Sequence, residues 1–103
     1  MAKYNEDFTT ISAEVMSKIA KRVNELNCDT VFVCRYSNHP EDYDNLFMII
    51  GKYKTPHQCF DGQYAVWTAT LFDRASLCHG HYHVSFKTAL EIVGENITDF
   101  NQR

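Results

Sequence analysis

Glycine and proline are scarce in this chain: its 103 residues include 4 glycines and 2 prolines. This low share excludes collagen-like, Pro-rich and linker-like chains, and it predicts that most residues lie in helices or strands. Long apolar runs are also missing, because the longest, Leu46 to Ile50, is far shorter than the ~20 residues that cross a bilayer. We therefore expect no membrane partner, and one globular domain spanning residues 1–103.

The chain also lacks any run of basic residues. It has 10 lysines and arginines and 13 acidic residues, which gives a formal net charge of −3. This balance disfavours binding to nucleic acid or to an anionic membrane. The first residues, Met1 to Asp7, are polar and carry acidic side chains where a secretory signal has a basic start and an apolar stretch. We therefore expect a cytoplasmic protein.

Paired cysteine motifs are absent as well. The four cysteines, Cys28, Cys34, Cys59 and Cys78, include no C-x-x-C pair. In a reducing compartment such residues are typically small buried apolar groups rather than disulfides. We expect all four thiols to be free.

Helix and strand patterns alternate clearly along the chain. Apolar residues at helical spacing from Thr10 to Leu26 predict an amphipathic helix. β-Branched and aromatic segments then predict four strands, and a Thr88/Glu91 capping box predicts a closing helix that Gly94 interrupts. The predicted strands are Val31 to Tyr36, Leu46 to Tyr53, Tyr64 to Phe72, and Leu77 to Phe86.

This order predicts an α+β fold, α-β-β-β-β-α, with a four-stranded, mainly antiparallel sheet and both helices on one face. Its core is expected to use helix and strand residues alike. The expected core residues are Ile11, Val15, Ile19, Val23, Leu26, Trp67, Leu71, Val84, Leu90 and Val93.

Three histidines alternate along the fourth predicted strand, in the segment Cys78-His79-Gly80-His81-Tyr82-His83. Alternation places them on one face. A four-residue turn that pairs Phe72 with Leu77 would set Thr70, Thr68 and Tyr64 beside them. The opposite face, with Trp67 and Leu71, is more apolar and is expected to meet the helices.

The histidine face is then left uncovered and is our candidate partner-binding surface. Tyrosine and histidine suit a protein partner, because they offer contact area and adaptable hydrogen bonds. The candidate residues are Tyr64, Thr68, Thr70, His79, His81 and His83.

A metal site is the alternative interpretation. Neighbouring same-face residues on a strand lie ~6.6 Å apart, so two of the histidines can reach one ion, whereas the outer pair cannot. Further ligands for zinc would have to come from His57 and Cys59 in the preceding loop. This set, His79, His81 and His83 with His57 and Cys59, defines the metal-binding hypothesis.

Enzyme and nucleic-acid hypotheses receive less support. The phosphate-binding and nucleophile motifs of common enzymes are absent, and neighbouring Cys and His residues on a strand point to opposite faces. The acids Glu41, Asp42 and Asp44 are typical of a solvated turn. An open sheet could stack bases, but the acidic balance and the missing RNP signature oppose it. We expect a non-enzymatic protein that binds another protein.

The strand Tyr64-Ala65-Val66-Trp67, followed by Gly80-His81-Tyr82 and then by Ala89-Leu90, resembles small accessory proteins encoded by phages and bacterial mobile elements. The resemblance covers about the last third of the chain and carries over no catalytic residue. It implies a short, acidic protein that blocks a host defence complex by occupying a protein surface, as anti-CRISPR inhibitors do.

Overall fold

The computed structural model describes residues 11–35, 37, 45–55, 62–71 and 76–101. A helix, four strands and a second helix follow one another along the chain. They are α1 (Ala13–Glu25), β1 (Cys28–Arg35), β2 (Leu46–Tyr53), β3 (Tyr64–Thr70), β4 (Ser76–Val84) and α2 (Phe86–Asn101). Each strand pairs antiparallel with the next, in the order β1-β2-β3-β4. The predicted α+β class and hairpin order are confirmed.

The ends of α1 follow the local sequence. The Oγ of Ser12 accepts a hydrogen bond from the N–H of Val15 at 3.2 Å, and so satisfies one of the amides that a helix leaves free at its start. After the helix, Asn27 adopts the left-handed conformation, with φ 62°, which is common just beyond the end of a helix. On the exposed side of α1, Glu14 and Lys18 form an ion pair one helical turn apart, at 3.9 Å.

The start of α2 differs from the prediction. The cap is Ser85, whose Oγ accepts from the N–H of Thr88 at 3.1 Å. The capping box predicted from Thr88 and Glu91 therefore lies about one helical turn after the observed start of α2. Gly94 does not interrupt the helix, which continues to Asn101. No helix in the described part of the chain is long and apolar enough to cross a membrane.

The sheet has a core on each face. On one face, Ile19 and Val23 of α1 pack with Trp67 and with alternate residues of β2 and β3. We call this the α1 face. Gly51 lies here against Trp67: a Cβ on it would come within 2.9 Å of the indole ring. Opposite Gly51, the register of β1 shifts between Thr30 and Phe32, which indicates a β-bulge in that strand.

On the other face, Ala89 and Val93 of α2 pack against Met48, Ile50 and Val66. We call this the α2 face. Met48 and Ile50 alternate with Phe47 and Ile49, which belong to the α1 face, so β2 is buried on both sides. The expectation that both helices share one face is wrong, because a strand that is apolar on both sides needs a layer over each.

Most of the predicted core is buried or packed against buried residues. Trp67 is 2% exposed and packs with α1, which confirms its expected burial. Leu26 and Leu90 are corrections, since they are 39% and 41% exposed. Leu26 follows the last helical residue of α1, and Leu90 lies beside the stripe of α2 that faces the sheet.

Candidate functional site

The candidate site is built on β4, an edge strand of the sheet. Its pairing with β3 shifts register twice, between Thr68 and Val66 and again between Val66 and Tyr64. At each shift, an advance of three residues along β4 lies opposite an advance of two residues along β3. β4 therefore has one extra residue at each shift, which is a β-bulge. The bulges contain His79 and His83, both in the left-handed region, with φ 55° and 57°.

The bulges divide the three histidines between the two faces. One extra residue reverses the alternation of side chains, so the predicted common face for His79, His81 and His83 is wrong. His79 and His81 line a cleft on the α2 face. His83 stacks on Tyr53, with ring centroids 4.8 Å apart and planes 19° apart, beside the core of the α1 face.

The cleft on the α2 face measures about 460 Å³ and lies between β4 and the C-terminal half of α2. A volume of this size is within the range of small-ligand sites. Apolar and polar side chains both contribute to its wall: Met48, Thr68, His79, His81, Asn96, Asp99 and Phe100. We refer to it as the β4–α2 cleft.

Three of the six predicted partner-binding residues therefore lie together, namely Thr68, His79 and His81. The hydroxyl of Thr68 donates to the Sδ of Met48 at 3.6 Å, which fixes the side chain in the cleft wall. Thr70 lies further along β3, opposite Ser76. His83, as described, lies on the other face.

Tyr64 is on the α2 face but is not open to a partner. Its ring is half-buried and packs at 5.1 Å against Phe86, the first residue of α2. The expectation that neither helix covers this face is thus wrong for its Tyr64 end, while the His79–His81 end borders the cleft.

Tyr82 is a surface residue that the sequence reasoning missed. It is 56% exposed, yet its ring is held in place: its hydroxyl accepts from the Nε1–H of Trp67 at 3.2 Å, and its ring lies over Gly80. A Cβ on Gly80 would come within 2.2 Å of that hydroxyl oxygen. A glycine two positions before a tyrosine on one strand was the available signal.

Asn96 and Asp99 of α2 were also missed, since a shared face for both helices would have kept α2 away from the histidines. Acidic side chains occur at every fourth position of α2, at Glu91, Glu95 and Asp99. Such spacing places them along one side of the helix. Among the described residues, no basic nitrogen lies within 4.0 Å of these carboxylates.

Residues 11–35, 37, 45–55, 62–71 and 76–101 contain no group of three or more His, Cys, Asp and Glu side chains that could hold a metal ion. His57 and Cys59 lie outside the described residues, as do Glu41, Asp42 and Asp44. Binding of zinc stays a prediction, in which the described residues supply two neighbouring imidazoles, those of His79 and His81.

The three described cysteines are free thiols. Burial raises the pKa of Cys34 to about 11, and burial beside Asp29 raises the pKa of Cys28. Both are therefore protonated and weakly nucleophilic near neutral pH. Cys78 is exposed on β4 and its thiol donates to the carbonyl oxygen of Thr68 at 3.5 Å.

Comparison with protein-family models, with curated proteins and with solved structures finds no match to this chain. The residues themselves are therefore the basis for assigning a function.

Proposed function

We propose that this chain is a small non-enzymatic protein that binds a protein partner through β4 and the adjoining C-terminal half of α2. The observation that carries the proposal is the placement of Tyr82, a large exposed ring that accepts a hydrogen bond from Trp67 and packs edge-on against it, on the strand that also borders the β4–α2 cleft. An aromatic side chain that is ordered before binding loses little entropy on association. Rigid aromatic side chains of this kind are the usual anchors of protein interfaces.

Recognition is expected to use side chains rather than strand pairing. An edge strand can recruit a strand from a partner, but bulges interrupt the row of backbone groups needed for this. β4 carries two bulges within nine residues. The partner therefore contacts the imidazoles of His79 and His81 and the Tyr82 ring, which project from this irregular backbone.

The finer part of the proposal is that the partner belongs to a host defence complex, and that the protein inhibits it in the cytoplasm after entry with a phage or mobile element. Gly80-His81-Tyr82, part of the segment set that resembles phage accessory proteins, lies on this strand, and the buried Trp67 of the same set donates a hydrogen bond to Tyr82. The acidic side of α2 beside the cleft supports a protein partner over a nucleic acid, because carboxylates repel phosphates.

A second candidate function is binding of a transition metal such as zinc. It is favoured by the two imidazoles, His79 and His81, that line one cleft. Neutral imidazole is a preferred ligand of such ions, although two ligands alone leave the coordination incomplete.

The test uses tagged protein prepared without chelators or metal-affinity resin. Partners are captured from a bacterial extract and identified by mass spectrometry, and metal content is measured by elemental analysis. The same capture is run with the double variant His81→Ala/Tyr82→Ala, for which we expect at least about tenfold less partner. The matched control is Leu26→Ala/Val31→Ala, which shortens two exposed apolar side chains away from β4.

Melting curves show whether each variant folds. If loss of the Trp67–Tyr82 hydrogen bond unfolds the first variant, His79→Ala/His81→Ala replaces it, because that pair leaves the hydrogen bond intact. Equal capture by the β4 variant and the control would contradict the protein-binding proposal. Near-stoichiometric metal that is lost in the histidine variant would favour the second candidate.

A further inference from the structure

We propose that the β4–α2 cleft receives a basic side chain, an arginine or a lysine, from the protein partner. This inference rests on the proposed function and adds to it the chemistry of the partner surface. Its support comes from the charge in the cleft, the charge beside it and the shape of its wall.

Among the described residues that line the cleft, Asp99 is the one acidic side chain, and none is a lysine or an arginine. No basic nitrogen in the described part of the chain, including those of His79 and His81, lies within 4.0 Å of its carboxylate. The carboxylate is therefore available to accept charge-assisted hydrogen bonds from a guanidinium or ammonium group. Asn96, one helical turn before it, adds an amide oxygen that can accept from the same cation.

The charged side chains beside the cleft are also negative. Glu91 and Glu95 precede Asp99 at four-residue intervals, and all three border a shallow depression on the outer side of α2. Within α2 the only basic residue is Lys87, at the other end of the helix. The described charged side chains at this end of α2 are acidic, which favours a basic partner surface over an acidic one.

The wall of the cleft also fits the stem of a long basic side chain. Met48 and Phe100 contribute apolar surface, and Thr68 contributes a hydroxyl that is already engaged with Met48. Lysine and arginine place their methylene groups on apolar surface of this kind and keep the charged end at polar atoms. Zinc takes nitrogen, thiolate and carboxylate ligands, so Met48 and Phe100 would not coordinate it, and the described residues contain no three-ligand group for a metal ion.

The test measures NMR chemical shifts of ¹⁵N-labelled protein during titration with acetyl-Gly-Arg-Gly-amide. The matched probe replaces arginine by citrulline, which has nearly the same shape without the charge. We expect saturable shifts of the Asn96 side-chain amide and of the His79 and His81 imidazoles with the arginine peptide. The citrulline peptide should bind at least about tenfold more weakly, as expected when a charge-assisted hydrogen bond is lost.

The protein variant is Asp99→Asn, which keeps the side-chain shape and removes the charge. We expect it to weaken binding of the arginine peptide by at least about tenfold. Glu14→Gln makes the same change of charge on α1, at a side chain that is 81% exposed, and should leave binding unchanged.

Equal binding of the two peptides, no binding of either, or an Asp99→Asn variant that binds as the parent does would overturn the inference. Tighter binding of spermidine than of the arginine peptide would also overturn it, because the cleft would then suit a free polyamine. The proposed function is tested separately by partner capture with the His81→Ala/Tyr82→Ala variant. Capture that depends on those residues but not on Asp99 would keep the proposed function and reject the basic side chain.

Discussion

Gly62 fits against the backbone of β4 so closely that no other residue can replace it without movement. A Cβ at this position would lie 2.2 Å from the carbonyl carbon of Val84 and 2.4 Å from its oxygen. Gly94 is the opposite case, because a Cβ there would meet nothing within 4 Å. The two glycines therefore serve different purposes.

These two residues give a matched prediction. Gly62→Ala should lower the free energy of unfolding by about 1–3 kcal/mol, since backbone atoms of β4 must shift. Gly94→Ala should raise it by up to about 1 kcal/mol, because alanine restricts the unfolded chain and favours the helix. Urea denaturation of both variants measures the two changes. Equal effects of the same sign would contradict the packing described for Gly62.

At the scale of secondary-structure elements, β4 is the strand whose backbone departs most from regular geometry. His79 and His83 both have positive φ within a nine-residue strand. This conformation is uncommon outside glycine and is costly for β-branched residues. β4 has positive φ at the two positions where the alternation of its side chains between the two faces is reversed. His79 and His81 therefore line the cleft.

The backbone at His79 predicts an unusual order of stability. In a regular strand valine is favoured over glycine by up to about 1 kcal/mol. At His79 we expect the reverse: His79→Gly should be more stable than His79→Val by about 1 kcal/mol, because only glycine adopts positive φ freely. Thermal unfolding of both variants gives the order. The same pair at Ser76, an exposed position of β4 without positive φ, serves as the control.

A preference for valine at both positions would mean that β4 has no bulge at His79. His79, His81 and His83 would then lie on one face of the strand, and the β4–α2 cleft would no longer be the candidate functional site.

Sequence reasoning predicted the elements of this fold well and their three-dimensional arrangement less well. The periodicity of the apolar residues and the turn residues were sufficient to predict the order of helices and strands, because both signals depend only on residues that are close in sequence. The arrangement of layers was also present in the sequence, in the uninterrupted run Leu46 to Ile50. Such a run is typical of a strand that is buried on both faces, and it requires a helix over each.

The bulges of β4 had no comparable signal. Each one adds a single residue and reverses the side-chain alternation, and a histidine at positive φ has no distinctive neighbours in sequence. The candidate site was therefore only half predicted. Thr68, His79 and His81 do lie together, whereas Asn96 and Asp99 join them only because α2 covers that face.

At the scale of the whole molecule, the sheet separates two helices and two cores. α1 closes the face that contains Trp67, and α2 closes the face that contains Val66. The edge strand β4 contributes to both sides: Tyr82 reaches Trp67 on one, and His79 and His81 line the cleft on the other. A partner bound at this edge can therefore contact both faces. The central claim of the proposed function is that the partner binds β4 and the adjoining C-terminal half of α2.

Amide hydrogen exchange of the protein, alone and with its captured partner, tests this claim most directly. Exchange followed by mass spectrometry reports which backbone segments become protected, without any substitution. We predict added protection over residues 76–84 of β4 and 96–101 of α2, with residues 28–35 of β1, at the opposite edge of the sheet, unchanged. Protection confined to β1 or α1, with β4 exchanging as in the free protein, would contradict it.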